Sequence, residues 1–126
     1  MASMSDYVLD AALSKLDTEA DKIYITSQEA TTYTEATSTY ALGVATTISI
    51  GAPQDRTASG GGREVVLSNV TGGNVTATGD ADTFALVDST NSRLLATGGL
   101  TGGGQTVTLG NTFILASITL GIPDPA

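Results

Sequence analysis

Apolar residues recur at Val8, Leu9, Ala12, Leu13 and Leu16, while Asp10, Ser14, Lys15 and Asp17 take the positions between and around them. That period is helical, so the spacing predicts an amphipathic helix over 5–20 with its apolar face against a larger body. Ser5 or Asp6 is placed to cap it, since a side-chain oxygen there accepts free amides of the first turn. A helix of this length is marginal alone in water, so its stability must come from what it packs on.

Beyond the charged stretch Asp17 to Lys22 the period becomes two, with Ile23 and Ile25 on one side of a short strand and Tyr24 on the other. The polar, Thr-rich run from Thr31 to Tyr40 has weak periodicity and reads as an ordered connection. From Val44 onward the pattern is β throughout. Candidate strands run over Val44 to Ile50, Glu64 to Val70, Val75 to Thr78, Thr83 to Ser89, Arg93 to Thr97, Thr106 to Leu109 and Thr112 to Leu120. Thr71-Gly72-Gly73-Asn74, Gly79-Asp80-Ala81-Asp82, Thr90-Asn91-Ser92 and Leu109-Gly110-Asn111 separate them and read as hairpin turns. The segment 51–63, with Pro53 and Gly60-Gly61-Gly62, is expected to be a long flexible loop. Short strands at this spacing predict a mainly β fold. The expectation is a single domain over 1–126, an antiparallel β-sandwich or jelly roll of about seven to eight strands with one N-terminal α-helix.

Composition supports this reading. The 21 Thr among 126 residues suit half-exposed strand faces, where the methyl packs and the hydroxyl stays solvated. Phe84 and Phe113 fall inside candidate strands with Leu86 and Leu115 two places along, so they belong to the core. Tyr33 and Tyr40 allow two readings, rings anchoring a loop to the core or contacts for a partner.

Charge and missing residue types narrow the chemistry. Five Lys and Arg against 13 Asp and Glu give a net charge of −8, which argues against a nucleic-acid partner, because that affinity needs clustered cations. No Cys means no disulfide and no thiolate nucleophile; no His removes the near-neutral base and the commonest metal ligand. No basic-then-apolar leader opens the chain and no window is apolar enough to span a membrane, so neither secretion by the ordinary signal nor a membrane partner is expected. Met4 offers a second start. The clusters Gly60 to Gly62 and Gly102 to Gly104 each lead into a strand and lack the Lys-Ser or Lys-Thr pair of a phosphate loop. Asp80, Asp82 and Asp88 offer oxygens to a cation such as calcium, but their spacing fits no EF-hand loop and acidic residues in turns are ordinary. Paired carboxylates are the remaining acid–base resource, and Asp and Glu concentrate where solvated surface charge belongs. No enzyme activity, cofactor or metal is expected.

One resemblance goes further. Asp6-Tyr7-Val8-Leu9-Asp10-Ala11-Ala12-Leu13, then Lys22-Ile23-Tyr24-Ile25, then Glu29-Ala30-Thr31-Thr32-Tyr33-Thr34-Glu35-Ala36 running into Tyr40-Ala41-Leu42-Gly43, resembles small proteins encoded among the head genes of tailed bacteriophages. Thr83-Phe84-Ala85-Leu86-Val87-Asp88-Ser89, a turn and Arg93-Leu94-Leu95-Ala96 resemble the hairpin of that group. The resemblance implies a virion structural protein, a capsid decoration or cement protein. Such a protein would be made in the host cytoplasm and bound to the outer surface of the head, with the major capsid protein and copies of itself as partners. It carries no catalytic residues. Loop aromatics and arginines dominate interface energies, which makes Tyr33, Tyr40, Arg56 and Arg63 the candidate contacts. The alternatives are a carbohydrate- or receptor-binding module of a tail or fibre, and a tail or neck component.

Overall fold

The computed structural model describes residues 5–56, 61–100 and 105–122. The predicted helix is α1, Asp6–Glu19. Leu9 and Leu13 are buried and Leu16 is partly buried, a stripe narrower than the expected face. Val8 and Ala12 stay exposed, and α1 packs chiefly on one strand, β4 (Arg63–Leu67). Ser5 occupies the N-cap position, but its side chain makes no capping bond; its carbonyl accepts the amides of Val8 and Leu9 at 3.0 and 3.2 Å.

The rest is mainly β, in several antiparallel sheets. The largest has six strands in the order β10 (Thr112–Leu115), β5 (Val70–Val75), β2 (Ala41–Ala45), β1 (Lys22–Thr26), β7 (Thr83–Asp88) and β8 (Arg93–Gly99). A second has β11 (Ile118–Ile122), β4 and β3 (Gln54–Asp55), and a third pairs β6 (Gly79–Ala81) with β9 (Gln105–Val107). Among the described residues this makes eleven strands, more and shorter than expected.

Period-two alternation divides the large sheet into two faces. Ile23 stands opposite Leu86 and Ile25 opposite Phe84, and these four enter a core shared with Leu13 of α1, Val65 and Leu67 of β4, Ala81 of β6 and Phe113 of β10. Tyr24 stands opposite Ala85, and Lys22 opposite Val87, on the other face. There Ala85 and Val87 are covered by Ala30 and Ala36 from the connection between β1 and β2, flanked by Tyr24, Tyr33, Tyr40 and Leu94. Phe84 and Phe113 are core residues as expected.

Several boundaries differ from the sequence reading. The strand expected from Val44 starts at Ala41 and ends at Ala45, leaving Ile50 as an isolated bridge to Leu67. Gly43 sits in that strand because a Cβ there would come within 2.8 Å of the Asn74 carbonyl and 2.9 Å of the Phe113 ring. Thr71 to Asn74, expected to turn, lies inside β5, and Gly79 to Ala81 forms β6. The single run Glu64 to Val70 divides between β4 and β5, and Thr112 to Leu120 between β10 and β11, with the chain changing sheet at each break. The segment 51–63 contains β3, which pairs with β4; its residues 57–60 lie outside the described residues, as does Gly102 to Gly104. The turns at Thr90 to Ser92 and Leu109 to Gly110 are where expected, with Ser92 at φ 56° and Gly110 at φ 94°.

Candidate functional site

The four candidate contacts fall into two groups on different elements. Arg63 opens β4 with its side chain only 17% exposed, enclosed by carboxylates. Its Nε donates to Asp10 Oδ1 at 2.8 Å, Nη1 to Asp55 Oδ1 at 2.6 Å, and Nη2 to Asp10 Oδ2 and the Pro53 carbonyl, both at 3.3 Å. Asp6 Oδ2 lies 4.0 Å from Nη1, a fifth oxygen neighbour. Hydrogen bonds that it donates to Asp10 and Asp55 hold the guanidinium still more firmly protonated than usual. The fork therefore ties α1, β3 and β4 together.

Arg56 follows β3. Its amide donates to the Gly62 carbonyl at 3.1 Å and its Nη1 to the Gly61 carbonyl at 2.8 Å, closing the segment on itself. The stem lies over Gly121 of β11, where a Cβ would meet Nε at 3.0 Å. Several other charged side chains are also engaged. Arg93 and Lys15 both pair with Glu19, at 3.1 and 3.2 Å, and buried Glu64 accepts Gln54 Nε2 at 3.0 Å.

Tyr33 and Tyr40 lie on the opposite side of the large sheet, half-buried around Ala85 and Val87. A π-helical turn, Glu35–Thr39, lies between them in the chain. Thr31 donates to Glu35 Oε1 through both its amide and its hydroxyl at 2.8 Å, and Thr32 Oγ1 accepts the Glu35 amide at 3.1 Å. The two bonds from Thr31, its amide foremost, hold the Glu35 carboxyl below its ordinary range. The exchange resembles a capping box, and Thr32-x-x-Glu35 was its sequence signal. Burial raises the Tyr24 hydroxyl above its usual range, with Tyr33 adding to the effect.

Of the three carboxylates considered for a cation, Asp82 is exposed and the other two are engaged within the fold. Asp80 Oδ1 accepts the Thr106 hydroxyl at 2.8 Å, and buried Asp88 accepts the Thr90 amide at 3.0 Å and Asn91 Nδ2 at 2.8 Å, an Asx turn that shapes the β7–β8 hairpin. Among the described residues no group of three or more His, Cys, Asp or Glu is gathered as a metal site.

One concave feature stands apart from these contacts. A groove of about 670 Å³ runs between β8 and β11, with Phe84, Leu115 and Leu120 supplying apolar surface and Thr97, Gly99 and Thr119 along its sides. None of its described lining residues is charged. Ile114, at its rim, is 75% exposed. The sequence reading missed it, because β8 and β11 belong to different sheets and nothing local shows that they face one space.

Comparison with protein-family models, with curated proteins and with solved structures finds no match to this chain.

Proposed function

We propose that this chain is a virion structural protein of a tailed bacteriophage, a capsid decoration protein that binds the outside of the head and stabilises contacts between major capsid subunits. One observation carries the reading. Among the described residues the charged groups largely join the chain's own elements, while an uncharged groove and the exposed side chain of Ile114 face outward. Such a surface works by shape and burial, with no substrate turned over.

Other features agree with it. The six-stranded and three-stranded sheets draw on one core, which supports reading the fold as a β-sandwich. A net charge of −8 favours a position outside a DNA-filled shell over one within it. A ligand that binds the assembled shell and not free subunits stabilises the shell by mass action, summed over its sites. Half-buried Tyr33 and Tyr40 make a poor flat platform for a sugar ring, which weighs against the tail-fibre alternative.

The test is a pair of particle reconstructions, from virions with the gene intact and with it deleted. Density on the outer head surface that disappears with the gene, together with shells that rupture at lower temperature, is the expected result. Virions that never contain the protein, or density confined to the tail, would overturn the reading.

A further inference from the structure

The groove between β8 and β11 has the makings of a strand-binding site. Among the described residues β8 is an edge of the six-stranded sheet and β11 an edge of the three-stranded one, and both line the same space. The Leu100 amide donates to the Asp82 carbonyl at 3.0 Å, in register with Thr83 opposite Gly99. Antiparallel ladders alternate, so Thr97 and Gly99 turn their amides and carbonyls away from β7, toward the open side. Natural sheets blunt such edges with Lys, Pro or inward charge, and residues 94–99 have none of these; a bulge near Leu95 is the one irregularity.

We propose that this groove takes one extended segment of a partner polypeptide, added as a strand beside β8. This rests on the shell reading, in which the segment is an extended arm of a capsid subunit. The lining defines the segment's chemistry. A carboxylate would meet no cation there and would enter the field of a chain carrying −8, whereas a buried Lys or Arg would find no carboxylate in the groove. The segment is therefore uncharged, about four to six residues long, and alternates apolar side chains toward Phe84, Leu115 and Leu120 with polar ones facing out. Main-chain hydrogen bonds give affinity, and the apolar floor selects sequence.

Gly99 supplies a clean probe, because its amide faces away from β7 and its φ is not left-handed. The experiment measures binding of the full chain to shells assembled without it, together with amide hydrogen exchange free and bound. Gly99→Pro, which removes one amide facing the added strand and no hydrogen bond of the fold, should lose about tenfold in affinity at an unchanged urea midpoint. The Thr97 and Gly99 amides should exchange rapidly in the free chain and slowly on the shell. If the wild type binds while those amides stay fast, or if Gly99→Pro binds as well as wild type, the groove proposal fails and the shell reading stands. Slow exchange already in the free chain would mean that the molecule fills its own groove, and would overturn the proposal too. If the wild type does not bind shells, the shell reading falls, and an uncharged hexapeptide of alternating valine and threonine decides the groove. Protection of the Thr97 and Gly99 amides by that peptide supports a strand site; its absence overturns it.

Discussion

Arg63 Nε donates to Asp10 Oδ1 at 2.8 Å, joining the start of β4 to the middle of α1 across 53 positions of chain. The same guanidinium reaches Asp55 of β3, so one side chain sets how the helix and the small sheet meet. An arginine chosen from sequence as a surface contact is thus committed to the fold. We expect Arg63→Ala and Asp10→Asn each to lower the urea midpoint, and the double variant to lose less than the sum. Arg63→Lys should recover only part of the loss, because an ammonium cannot reproduce the two-pronged geometry. An additive cycle would show that the pair is not coupled.

Leu13 gives a comparison inside the core. It is 3% exposed and joins α1 to the cluster that includes Val65 and Leu67. Leu13→Ala should cost about 2–5 kcal/mol, because surrounding side chains relax only partly into the space left. Val8→Ala, one turn away at an exposed position, should stay within about 0.5 kcal/mol. Denaturant unfolding of both variants checks the narrow stripe; equal losses would mean that α1 buries a wider face.

Three glycines separate tight packing from open space. A Cβ at Gly73 would stand 2.4 Å from the Phe113 ring, and one at Gly98 would stand 2.7 Å from the Phe84 ring. Gly73→Ala and Gly98→Ala should therefore cost about 1–3 kcal/mol through forced displacement of buried aromatics. Gly99→Ala, with nothing nearby, should be close to neutral. Urea midpoints of the three variants test the ordering, and a destabilised Gly99→Ala would contradict it.

These same residues show what the sequence could disclose. The helix was legible because Leu9, Leu13 and Leu16 share a period, and the β7–β8 hairpin because Asp88, Thr90 and Asn91 form a self-contained turn. Gly72 and Gly73 misled, since the reason for a small residue at 73 is a phenylalanine 40 positions away. Apolar runs such as Thr112 to Leu120 record burial but not which sheet each half joins, so the break between β10 and β11 and the groove beside it left no local mark. Arg63 stood alone in the sequence because its partners Asp10 and Asp55 come from other elements.

Acid should expose one further joint. Asp21, just after α1, accepts the Ser89 amide at 2.9 Å and also the Ser89 hydroxyl, fastening the helix exit to the end of β7. Burial opposes its ionisation, but the two bonds from Ser89, helped by Lys22, together outweigh it and leave the carboxyl below its ordinary value. A carboxyl whose folded pKa is depressed gives stability that is fully present above its unfolded value, about 3.9, and is lost as pH falls through the folded value. Asp21→Asn and Ser89→Ala should therefore be less stable than wild type at pH 7, with the gap closing as pH falls through about 4 and toward 2. Urea midpoints at pH 7, 5 and 3 provide the measurement. A gap that stays constant across that range would place the contribution of Asp21 in shape and hydrogen bonding that do not depend on its charge.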